Sequence, residues 1–166
     1  MERAISADEE PAPAAALGRK LRRARALGAS DWPVLLRAAG WLAFVRAGLL
    51  VASLRRLERL MERGLPPRSR PPDPARAVRL AALVDIAARN AFPPATCLPR
   101  ALVLRRLLRR ERLPASLRIG VRRGEDGVLE AHAWVESAGE VIGDAPDVGA
   151  RFAPLRPGAE HLRAPW

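Results

Sequence analysis

Between Pro33 and Met61 the apolar residues Leu35, Ala38, Leu42, Val45 and Leu49 recur at three- and four-residue steps; one five-residue step leads on to Leu54, Leu57 and Met61. That spacing predicts a helix or a helix pair. Ser30-Asp31-Trp32-Pro33 starts it, with Asp31 or Ser30 as cap and Pro33 in the first turn. Arg46, Arg55, Arg56, Arg59 and Arg63 fall mostly elsewhere on the wheel, so the stripe reads as a cover for a core rather than a membrane-surface helix. Before it, residues 1–16 are acidic and rich in Ala and Pro and read as frayed, and Leu17 to Leu27 as a short basic helix. Five prolines between Gly64 and Pro74 make a connection. Ala75–Asn90 then predicts a second helix, with Val78, Leu80, Ala81, Leu83, Val84 and Ile86 crowded as if deeply buried. Phe92-Pro93-Pro94 turns the chain. Leu98–Arg112 is the third helix, its Ala101, Leu104, Leu107 and Leu108 inward and Arg105, Arg106, Arg109 and Arg110 outward, and Pro114 stops it.

From Leu117 the period changes to two. Leu117, Ile119 and Val121 alternate with Arg118, Gly120 and Arg122, and two further strands run from Val128 to Glu136 and from Glu140 to Asp144. Beyond Ala145-Pro146 the chain reads as loop. Helices first and a small antiparallel sheet after them make an α+β fold. The division is an N-terminal tail and helical region over 1–74 packing on a core over 75–166, one compact unit overall.

The second hairpin predicts a juxtaposition. A three-residue loop, Ser137-Ala138-Gly139, would place glycine where a left-handed residue is needed and pair Glu136 with Glu140, Trp134 with Ile142 and His132 with Asp144. Cross-strand partners lie about 5 Å apart on one face. A one-residue slip would undo this. The other face, Leu129, Ala131, Ala133 and Val135, reads as the side packed on the helices. Trp134 shapes either the core or a cleft beside His132.

Composition narrows the alternatives. The 166 residues carry a net charge of +11, from 28 arginines and one lysine, Lys20, against 18 acids. With no tyrosine and only seven Trp plus Phe there is no stacking platform for single strands, so no nucleic-acid partner is expected. No signal peptide is visible, and Arg37 and Arg46 break the longest apolar region into runs too short to span a membrane. A cytoplasmic protein is the default. One cysteine and two histidines offer no recognisable metal-ligand set, and no cofactor motif stands out.

Cys97, the one cysteine, opens the third helix in Ala95-Thr96-Cys97-Leu98-Pro99-Arg100. A helix N-terminus and a nearby imidazolium both favour the thiolate, the nucleophilic form. Pro99 has no N–H, so oxyanion donors would be the amides of Cys97 or Leu98. A lone cysteine is more often buried and structural; here a strand histidine and then an aspartate follow it in the order of a nucleophilic triad. Cys97, His132 and Asp144 are the candidate catalytic residues. His161 reads as a tail histidine, Asp126 and Asp147 as turn residues.

Cys97-Leu98-Pro99-Arg100-Ala101-Leu102, Leu107-Leu108-Arg109-Arg110, Leu113-Pro114-Ala115, Ile119-Gly120-Val121, Ala131-His132-Ala133-Trp134-Val135-Glu136 and Gly143-Asp144 together resemble the transglutaminase-like peptidase of lasso-peptide biosynthesis, closely over residues 75–155 and loosely before them. The resemblance implies a papain- or transglutaminase-like cysteine-protease core, with Cys97 as nucleophile, His132 as general base and acid, and Asp144 orienting it. It implies removal of the leader from a ribosomally made precursor peptide, ahead of an ATP-dependent macrolactam synthetase. Nothing before residue 75 reads as a winged-helix leader-recognition domain, so the likeness is to the stand-alone peptidase half of a split B protein, which needs a separate leader-recognition protein. The same triad would also serve an acyl or amide transferase. The rival from another class is a basic binding or scaffold protein with a structural cysteine.

Overall fold

The structure, a computed structural model, describes residues 27–67, 70–124 and 127–155. The expectations for residues 1–16, for a basic helix beginning at Leu17, and for Asp126 and His161 fall outside them. Among the described residues, those from 33 to 155 belong to one compact unit.

Helix α1 spans Asp31–Val51 and α2 spans Leu54–Glu62, the break falling at the five-residue step. Gly48 lets them meet, since a Cβ there would lie 2.8 Å from a methyl of Leu57. Val34, Ala38, Leu42 and Val45 of α1 are buried, while Leu36, Leu50 and Val51 on its other side are exposed. Unbroken, α1 is longer than the runs between its arginines, and by length and composition it is the one helix among the described residues that could cross a membrane.

Helix α3, Pro74–Asn90, starts where Asp73 accepts a hydrogen bond from the Arg76 amide, with proline at its first position. Its Ala77, Leu80, Ala81, Leu83 and Val84 are buried, but Val78 is exposed and Ile86 half-buried, so the predicted burial is narrower than the run of apolar letters. Helix α4, Cys97–Arg110, packs between α3 and the sheet. It ends at a left-handed Arg112 (φ 64°), with the Leu113 amide donating to Leu108 O.

Of the α4 arginines predicted to point outward, Arg110 is exposed, but Arg105, Arg106 and Arg109 are only half-exposed. Arg105 donates to Glu58 Oε1 at 2.7 Å and also to Glu62, both on α2, and the Arg106 guanidinium lies 3.9 Å from the centre of the Trp41 ring. Burial, with Arg110 behind it, holds Arg106 below its ordinary value. Long stems run along apolar surface while their heads meet carboxylates and a ring. This is how the N-terminal helices grip α4.

The sheet has the order β3-β2-β1-β4, antiparallel throughout. Strand β1 is Ser116–Arg123, β2 Leu129–Ser137, β3 Glu140–Ile142 and β4 Ala153–Pro154. Two expectations are corrected here. Leu129 and Ala131 are exposed, because the helices cover only the later half of β2, where Ala133 and Val135 are buried. The segment after Pro146 is no plain loop: a short helix α5, Val148–Arg151, leads into β4, which pairs Ala153 with Val121 and Pro154 with Gly120. This strap lays Val148 and Phe152 over Trp134, closing the outer face of the sheet.

Candidate active site

The β2–β3 hairpin is one residue tighter than predicted. Ala138 (φ 52°) and Gly139 (φ 88°) make a two-residue turn, so that Ser137 pairs with Glu140, Glu136 with Val141 and Val135 with Ile142. Two successive left-handed residues match the twist of the flanking strands, and the pairing puts valine rather than a second glutamate opposite Glu136. This register also removes Asp144 from its predicted place directly across from His132.

Nevertheless the two side chains meet. His132 Nε2–H donates to Asp144 Oδ2 at 2.7 Å, and Asp144 Oδ1 accepts from the Ala145 amide at 2.8 Å. Strand pairing does not bring them together; a break does. β3 ends at Ile142, and Gly143 with φ 75° swings the chain out of the strand. A Cβ at Gly143 would stand 2.9 Å from Cβ of Ala81 on α3, so both the backbone conformation and the closeness of α3 call for glycine. The parity argument of the sequence fails at this position, while the contact it was used to predict exists.

Cys97 is the first residue of α4, half-buried and free of any disulfide. The helix ladder begins after it, with Arg100 N–H donating to Thr96 O, and amides of a first turn have no partner within their own helix. The loop ahead of Cys97 is tied on two sides: Ala95 N–H donates to Ala88 O of α3, and Arg46 of α1 donates to Pro93 O. Cys97 and Asp144 line one small cleft, together with apolar Ala81, Val84, Ala101, Leu104, Ala133 and Ile142. Arg100 and Asp85 form its polar side, joined at 3.3 Å, with Arg89 on the same carboxylate.

With Nε2 committed to Asp144, Nδ1 is the remaining nitrogen of the imidazole; His132 itself is not among the residues that line the cleft with Cys97, so it is Asp144 that the structure brings to both. Asp147 stands apart: it is exposed, opens α5 and lies 3.9 Å from Arg151. Trp134 serves both expectations, since it is buried and also lines the cleft. Around His132 three residues carry roles that the sequence reading did not assign. Gly120 lies directly opposite it on β1, Phe152 stacks on its ring, and Gly143 frees Asp144 to reach it. Glycine in a strand interior across from a candidate histidine was the available signal; Phe152 lay in a stretch without periodicity. Among the described residues no group of three or more His, Cys, Asp or Glu side chains is arranged to hold a metal ion.

Helices leading into a four-stranded antiparallel sheet, a thiol at a helix start and a strand histidine paired to an aspartate describe a transglutaminase-like domain. The Transglutaminase-like superfamily model matches residues 41–157, and the chain belongs to that superfamily. No curated protein and no solved structure matches the chain.

Proposed function

We propose that this chain is a cysteine peptidase that removes the leader from a ribosomally made lasso precursor peptide before macrolactam formation. The observation that carries the reading is the 2.7 Å His132–Asp144 contact beside the cleft that Cys97 and Asp144 share. The lasso context comes from the motif run around Cys97, His132 and Asp144.

In this reading His132 Nδ1 takes the thiol proton, and the Cys97 thiolate attacks the scissile carbonyl carbon. First-turn amides of α4 receive the oxyanion. Collapse breaks the C–N bond, and the imidazolium gives its proton to the leaving amine. Water, deprotonated by His132, then attacks the thioester; the C–S bond breaks and the thiolate is regenerated. Asp144, held by the Ala145 amide, keeps the imidazole turned and stabilises its charged form. A separate leader-recognition protein delivers the precursor and raises its effective concentration at the thiol. The freed core then passes to the macrolactam synthetase.

The test is mass spectrometry of precursor incubated with this chain and the leader-recognition protein. Separate leader and core, with a transient leader thioester on Cys97, are expected. Intact precursor in the presence of a chain that alkylates slowly near neutral pH would sink the reading, and leader recovered as an amide adduct would make it a transferase instead.

A further inference from the structure

The outer face of β2 holds a contact that the catalytic reading leaves unused. The Phe152 ring stacks on the His132 ring, centroids 5.0 Å apart and planes 29° apart, and Trp134 lies 6.4 Å from the same imidazole at 17°. Phe152 is only 6% exposed. Its backbone is held on both sides: its own amide donates to Val148 O, Ala153 and Pro154 pair with β1, and the Leu155 amide donates to Ile119 O at 2.8 Å. Space for the ring comes from Gly120, the residue directly opposite His132. A Cβ there would stand 2.9 Å from Phe152 Cβ, 2.9 Å from the tip of Trp134 and 3.0 Å from Ala153 O. Guanidinium groups close the remaining approaches, Arg122 at 4.9 Å and Arg151 at 5.9 Å from the ring centre.

We propose that Phe152 is a positioning residue, whose flat face fixes the plane of the His132 ring so that Nε2 stays on Asp144 and Nδ1 is kept in one direction. This rests on the reading of Cys97 and His132 as the catalytic pair. A histidine's second side-chain torsion is broad and roughly two-fold, so its own rotamer preference does not fix the ring plane. Asp144 supplies one hydrogen bond at one edge of the ring, a hinge about which the imidazole still swings. A stacked aromatic face removes that swing. The strap α5–β4 is therefore part of the active site, although it supplies no reacting group.

The test separates filling from stacking. Phe152→Leu keeps an apolar side chain in the space and removes the plane; Phe152→Tyr keeps the plane. With precursor and leader-recognition protein, kcat should fall about tenfold or more in the leucine variant, the scale expected when a catalytic group loses its orientation, with KM unchanged, and the tyrosine variant should recover most of it. The second readout is NMR of the imidazoles. The chain has two histidines, so replacing His161 assigns the His132 signal, which should move in Phe152→Leu and hold its place in Phe152→Tyr. A leucine variant as active as the parent, with an unmoved His132 signal, overturns the proposal. Should that variant fail to fold, the parent itself decides: nuclear Overhauser contacts between the Phe152 ring and the His132 ring support the stack, and their absence overturns it. A parent that shows those contacts yet neither cleaves precursor nor alkylates readily at Cys97 sinks the peptidase reading instead.

Discussion

Helices α1 and α4 both lay an apolar stripe on the core, and they differ in what covers their other sides. On α4, the stripe of Ala101, Leu104, Leu107 and Leu108 is buried, and the arginine side is gripped by Glu58, Glu62 and Trp41. What stays open is its N-terminal end, where Cys97 lines the cleft. On α1, Val34, Ala38, Leu42 and Val45 are buried, and the opposite side is bare apolar surface, with Leu50 87% exposed. The helix carrying the candidate nucleophile is held on its long sides, and its tip, anchored by the loop before it, opens on the cleft. Rigid support of this kind is what a site needs when geometry must be kept to fractions of an ångström.

That contrast predicts where substitutions will act. The largest effect belongs at the tip of α4. Cys97→Ala should abolish precursor cleavage, by at least a thousandfold on the scale of lost nucleophiles, with thermal unfolding unchanged; residual turnover within tenfold of the parent would break the assignment. Next comes the histidine's partner. Asp144→Asn should lower kcat by roughly two to four orders of magnitude and Asp147→Asn leave it near the parent value, and kinetics showing the reverse ranking would move the orienting role to Asp147.

Smaller effects fall on stability. Gly143→Ala forces a Cβ into a left-handed residue and against Ala81. Roughly 1–2 kcal/mol for the conformation and about 1–3 kcal/mol for overpacking should appear in denaturant unfolding, together with lost activity. Arg105→Ala removes the links to Glu58 and Glu62. Partial exposure of those glutamates keeps the cost near 1 kcal/mol, paid in stability with kcat retained. Leu50→Ser, on the bare side of α1, should change unfolding by no more than about 0.5 kcal/mol. Equal destabilisation at Arg105 and Leu50 would erase the contrast between the two helices.

Helix boundaries were largely legible because the punctuation is chemical: Asp73-Pro74 starts α3, Pro93-Pro94 precedes α4, and Pro114 follows it. The α+β order was legible from the change of period at Leu117. The hairpin register was not, since its turn places a non-glycine residue, Ala138, in the left-handed region; local preference argues for the longer loop with glycine alone there. The strap escaped because two-residue β4 has no period to read, and because the glycine that makes room for Phe152, Gly120, lies far back in the chain on β1, beyond any local signal. The directions of Arg105 and Arg106 were misread for another reason. Charge predicts solvent, but a guanidinium on a long stem also finds carboxylates and aromatic faces between helices. As for the candidate site, His132 and Asp144 were correctly placed close to one another by an argument whose geometry was wrong; the strand break at Gly143 supplies the reach that pairing does not.

The bare side of α1 has a consequence for handling the protein at all. Copies that each carry +11 repel one another, whereas exposed apolar surface of this kind draws copies together. Salt acts on one side of that contest: the repulsion reaches about 10 Å at 0.1 M ionic strength and about 3 Å at 1 M. Sulfate and phosphate also strengthen apolar association. The usual means of keeping an arginine-rich protein off nucleic acid and resin, a concentrated salt buffer, is therefore the condition in which this chain will come out of solution first, and dilute chloride at modest ionic strength is where it will stay dispersed.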